Sequence, residues 1–144
     1  MTMTDNEKLG EVMALCSNGN RDAWEYLSII AKSSRLIDDM VDEHEQWKRE
    51  DTYRLAQLLL IELPANNFFH QNKAALLSQH VTSLNAWIDS NDWMVEEGAR
   101  RNYALVIRDQ LTELALAVAY LTGGSDNLRK VSLQVRELFL KEEF

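Results

Sequence analysis

The chain has 144 residues, with 23 acidic side chains against 15 basic ones and a formal net charge of −8. That balance excludes general nucleic-acid binding and docking on anionic lipid, both of which need a basic surface. A single cysteine, Cys16, excludes an internal disulfide and a thiolate zinc site.

One proline and five glycines, among many Leu, Ala, Glu, Gln and Arg, favour long helices. The expectation is an all-α, compact bundle of about six helices forming a single α-helical domain over residues 1–144. Met1 to Lys8 is polar, with no apolar signal core. The longest apolar run, Leu114 to Leu121, is too short to span a bilayer. No membrane association and a cytoplasmic location are therefore expected.

Taken in order, the first helix is predicted from Asp5 to Cys16, with Leu9, Val12, Met13 and Cys16 on one stripe. Cys16 on that stripe is expected to be an inert core residue. Asn20 follows a turn and caps a second helix from Arg21 to about Glu45. Its first half is apolar almost all round, which suits a central position in a bundle. A third helix is predicted over Lys48 to Glu62, stopped by Pro64. A fourth runs from Asn67 to Ile88, with Leu77, Val81, Leu84 and Ile88 on one face, before a turn at Ser90-Asn91-Asp92. A fifth, from Trp93 to Leu121, is expected to be central together with the second and to end at Gly123-Gly124. Ser125 caps a sixth, carrying the stripe Leu128, Val131, Val135 and Leu138. Trp24, Trp87 and Trp93 are expected as core anchors.

Chemistry concentrates at Arg35-Leu36-Ile37-Asp38-Asp39-Met40-Val41-Asp42-Glu43. At about 100° per residue, Asp38 and Asp42 lie about 40° apart on one helix face, with Asp39 adjacent. Carboxylates at i and i+4 can share a hard divalent cation such as Mg²⁺, which takes oxygen ligands and brings phosphates with it. The same sector runs back through Ser34, Ala31, Leu27 and Trp24, so a charged mouth would sit above an apolar trough. The competing reading is a solvated helix face, with Arg35 paired to Asp39.

The pattern R-x-x-D-D-x-x-D-E resembles the first aspartate-rich motif of the squalene and phytoene synthases, class I isoprenoid synthases that are all-α. The resemblance covers about residues 24–45 and 105–120. It implies a Mg²⁺ site at Asp38, Asp39 and Asp42 that holds a prenyl diphosphate, with Arg35 near the diphosphate. The family's second motif, N-x-x-R-D-x-x-E-D, is matched in part by Arg108, Asp109 and Glu113. Leu105 stands at the asparagine position and Thr112 at the first acid of the closing pair. The implied metal residues are then Asp38, Asp39, Asp42, Asp109 and Glu113, the diphosphate-side cations are Arg35 and Arg108, and binding is expected rather than turnover.

Other chemistries fit less well. A di-iron bundle needs Glu-x-x-His, but Val41, Asn67 and Leu77 precede His44, His70 and His80 at that spacing. The acid layout of the all-α nucleotide pyrophosphohydrolases is represented only by Asp39-x-x-Asp42. His80 is expected to be packed, and His44 and His70 exposed. The alternative to a ligand site is a non-enzymatic acidic interaction or inhibitor module with a basic protein partner. The Leu128/Val131/Val135/Leu138 stripe either packs on the bundle or seeds a homodimer.

Overall fold

A computed structural model describes residues 2–140. It is a compact all-α bundle with six helices of nine residues or more. These are α1 (Asp5–Ser17), α2 (Arg21–Asp42), α3 (Arg49–Gln57), α4 (Lys73–Trp93), α5 (Ala99–Ile107) and α6 (Gln110–Phe139). No described helix is long and apolar enough to cross a membrane.

The first two helices start where local chemistry places them. Thr4 and Glu7 form a reciprocal capping box on α1. The Asn20 side chain accepts from the Ala23 N–H at 3.0 Å to open α2. Between them Asn18 takes a left-handed conformation (φ 51°, ψ 43°), which asparagine tolerates better than most residues. One continuous apolar core joins Val12, Met13 and Cys16 of α1, Tyr26 and Leu27 of α2, and Leu114, Ala115, Leu116, Val118 and Ala119 of α6. The centre is thus shared by α1, α2 and the Gln110–Leu121 part of the predicted fifth helix, with α1 where only two central helices were expected. Burial pushes the Cys16 thiol up to about 11, so it stays protonated and inert. Val131 and Val135 are buried, with Leu128 and Leu138 packed beside them, so that stripe faces the bundle.

Five boundaries differ from expectation, each for a local reason. Pro64 does not stop the third helix at Glu62. The chain passes from α3 through a π-helical turn, Leu58–Glu62, into a last turn, Leu63–Ala65, where Pro64 occupies an early position that needs no N–H. The predicted fourth helix is split at Asn72, which leaves helical geometry (φ −115°, ψ 22°) while its side chain donates back to the Phe68 carbonyl. Ser90 is buried within α4 and donates to the Trp87 carbonyl at 2.6 Å, so α4 runs through the expected turn to Trp93. The predicted fifth helix is broken at Arg108-Asp109, between α5 and α6. At Gly124 (φ 75°, ψ −171°) α6 kinks where a helix end was expected, and helix resumes on the far side.

Two of the expected tryptophan anchors are surface residues: Trp24 is 40% exposed and Trp93 37%. Among the described residues the fully buried aromatic is Tyr26. Its ring stacks with Phe68, Phe69 and His80 at centroid distances of 5.8, 6.1 and 6.0 Å. Asn66 ties this layer to α2. Its side chain caps the short helix Asn67–Gln71 through the Phe69 N–H (2.8 Å) and donates to the Asp22 carbonyl (2.9 Å).

Candidate functional site

A cleft of about 370 Å³ opens between α2, the π-helical turn, α4 and the start of α6. Its walls are mostly apolar: Ile30 and Ile37 from α2, Leu59 from the π turn, Leu84 from α4, Leu111 and Leu114 from α6. That volume lies in the range of small-molecule sites, roughly 300–1,000 Å³.

Polar groups occur at two levels. Deep in the cleft, His80 lies beside Tyr26, with Tyr26 Oη and His80 Nε2 2.6 Å apart. Burial lowers the His80 pKa from its usual 6.5 and raises that of Tyr26, so both are neutral and share one hydrogen bond. Ser33 also lines the cleft. It is only 3% exposed, and its hydroxyl has no hydrogen-bond partner. A buried hydroxyl without a partner costs about 1–3 kcal/mol.

The mouth is built around Arg108. The break between α5 and α6 leaves this residue as the C-cap of α5, and its side chain turns to α2 and α4. Its guanidinium donates to Asn91 Oδ1 (2.6 Å), Ser90 Oγ (3.2 Å) and Asp38 Oδ1 (3.1 Å), and lies 3.8 Å from Asp42 Oδ2. The Trp87 indole N–H also reaches Asp38 Oδ1, at 3.4 Å. Asp38 and Asp42 therefore converge on one cation, as their i,i+4 spacing on α2 requires. Both carboxylates are about half exposed, so a small ion or ligand can reach them.

The other expected residues are placed differently. Asp39 is half-buried on α2 beside this pair, and Arg35 is exposed, with no ion pair to Asp39 among the described residues. Asp109 lines the cleft, but its carboxylate accepts from the Thr112 N–H (3.3 Å) and hydroxyl (2.8 Å), capping α6. Glu113 lies instead on a groove with Tyr120 and Arg136, and pairs with Arg136 at 2.7 Å. The expectation that Asp109 and Glu113 share a face assumed one continuous helix. Asp109 is non-helical (φ −83°, ψ 77°), so the i,i+4 rule does not hold from it. Among the described residues, no three His, Cys, Asp or Glu side chains already converge as a metal site.

Capping gives Asp109 a measurable structural role. Asp109→Ala is expected to cost about 1 kcal/mol in urea denaturation, and Asp109→Asn only a few tenths. Equal, negligible losses in both would show that the cap contributes nothing.

Sequence reasoning missed Ser33 and the Tyr26–His80 pair. A signal for Ser33 existed: it falls between Ile29 and Ile37 at i,i+4 spacing on an otherwise apolar face. Nothing in the sequence linked residues 26 and 80.

Comparison of the chain with known protein families, with curated proteins and with solved structures found no match.

Proposed function

We propose that the chain binds a small molecule with a diphosphate head and an apolar body, together with Mg²⁺, and holds it rather than turning it over. The observation that carries this reading is the junction of an apolar cleft with Arg108, where Asp38 and Asp42 meet one guanidinium. Mg²⁺ is commonly held by one or two carboxylates plus the oxygens of a bound phosphate, so a ready-made cage is not required. Asp38 and Asp42 fit that donor set, with Asp39 beside them. Asp109 and Glu113, engaged by Thr112 and Arg136, belong to it only if they change partners.

The ion would supply positive charge against the diphosphate. The chain's own residues do the rest. Arg108 now neutralises the two carboxylates; when they turn to a cation, its donors are released toward the phosphate oxygens as charge-assisted bonds. Arg35, exposed on the same helix, is a second cation for the head group. The cleft excludes water from the apolar body. At about 30 Å³ per water-sized group, the space holds on the order of a dozen heavy atoms. We take the cytoplasm as the setting, in keeping with a lone, buried thiol.

A second reading, an acidic interaction module that needs no small ligand, is favoured by the partners that Asp109 and Glu113 already have. Calorimetric titration with Mg²⁺, with and without pyrophosphate, separates the two. The proposal expects saturable binding that pyrophosphate tightens and that Asp38→Asn/Asp42→Asn loses while remaining folded. Absence of saturable binding at millimolar metal would leave the interaction module standing.

A further inference from the structure

From Ala74 to Ile88, α4 carries no Asp, Glu, Lys or Arg, in a chain of which 26% is charged. Yet this is not a buried helix. Leu77, Val81, Leu84 and Ile88 are all exposed large hydrophobics, Val81 to 68%. Their spacing of four, three and four residues sets them in a sector of about 60°, the pattern of a two-helix seam. The helix buries a different side, carrying Leu76 and Ser90. Depletion of charge at an exposed apolar stripe is the compositional mark of an interface core.

The ends of the stripe say what covers it. Lys73, one turn before Leu77, and Asp92, one turn after Ile88, extend the same face. Both are exposed, and among the described residues neither makes an ion pair. The face is self-complementary about a two-fold axis between Val81 and Leu84. In antiparallel pairing Leu77 meets the partner's Ile88, Val81 meets the partner's Leu84, and Lys73 meets the partner's Asp92, each twice. Parallel pairing would set Lys73 against the partner's Lys73 and Asp92 against the partner's Asp92, so charge selects the antiparallel form. For a chain of net charge −8, a face free of acids over its middle is also where a second, equally charged copy can approach.

We infer that α4 is a homodimer interface, closed by an antiparallel copy of itself through Leu77, Val81, Leu84 and Ile88 and held in register by Lys73 and the partner's Asp92. The stripe Leu128/Val131/Val135/Leu138, the other candidate for self-association, is occupied by the bundle. The inference does not depend on the ligand proposed above.

Sedimentation equilibrium of the full chain tests it, with helicity checked by circular dichroism. Wild type is expected to be dimeric at high micromolar concentration. Val81→Glu puts a carboxylate against the partner's Leu84 and should weaken the dimer roughly a hundredfold. Lys73→Asp and Asp92→Lys should each weaken it roughly tenfold, and the double reversal Lys73→Asp/Asp92→Lys should restore it, because both pairs are re-formed with signs exchanged. A wild type that stays monomeric overturns the inference, as does a dimer indifferent to Val81→Glu. Single reversals with no recovery in the double variant overturn the antiparallel register.

Discussion

Tyr26→Ala is expected to lower stability by about 3–5 kcal/mol. The ring is fully buried at the centre of a four-ring stack, so its removal leaves a cavity that Phe68, Phe69 and His80 cannot close without abandoning their own contacts. In a chain of this size the loss corresponds to a fall in Tm of roughly 10 °C. Tyr26→Phe separates packing from hydrogen bonding: the stack remains, but His80 Nε2 loses its partner at 2.6 Å, at a cost of about 1–3 kcal/mol. Urea and thermal denaturation followed by circular dichroism measure both. A Tyr26→Ala loss below about 1 kcal/mol would contradict the burial on which the cleft's inner wall depends.

Arg108→Leu is expected to move two binding constants in opposite directions. Arg108 occupies the oxygens that the proposed Mg²⁺ would need, at 3.1 Å from Asp38 and 3.8 Å from Asp42. Leucine removes that competitor and leaves the two carboxylates repelling each other, so Mg²⁺ alone should bind several-fold more tightly. Pyrophosphate then loses the guanidinium at the carboxylates and keeps only the exposed Arg35. A charge-assisted bond contributes about 1.5–3 kcal/mol, so the tightening of metal by pyrophosphate should fall roughly ten- to a hundredfold. Parallel calorimetric titrations of wild type and variant read both effects. Loss of metal affinity in Arg108→Leu would mean that the arginine organises the carboxylates instead of competing for them.

Much of the architecture was legible where short-range chemistry decides it. Asn20 caps α2 as its residue type demands, Cys16 sits inside the stripe it belongs to, and the Val131/Val135 stripe packs inward. The breaks were illegible for an equally physical reason. Ile107-Arg108-Asp109-Gln110 contains no glycine or proline, and a stretch of helix-tolerant residues gives periodicity analysis no reason to stop. The helix ends there because the Asp109 carboxylate satisfies the Thr112 N–H in the first turn of α6 and because Arg108 bonds to α2 and α4. The same blindness decided the site. Asp38 and Asp42 lie on an unbroken helix, so their shared face followed from spacing alone. The expected face of Asp109 and Glu113 crossed a break and did not form. Ser33 was hidden because a polar residue within an apolar pattern reads as surface until tertiary contacts bury it, and the Tyr26–His80 pair because no local pattern joins two packed residues 54 positions apart.

In the proposed function one site combines a head-group mouth with an apolar cleft. The most direct measurement compares Mg²⁺-pyrophosphate with a Mg²⁺-alkyl diphosphate whose chain fits the 370 Å³ cleft, by calorimetry on the wild-type protein. Each methylene buried contributes about 0.8 kcal/mol, so even a short tail held in the cleft should tighten binding at least roughly a hundredfold over pyrophosphate. Equal affinities for the two would overturn the proposal, placing the diphosphate at the carboxylates without the cleft.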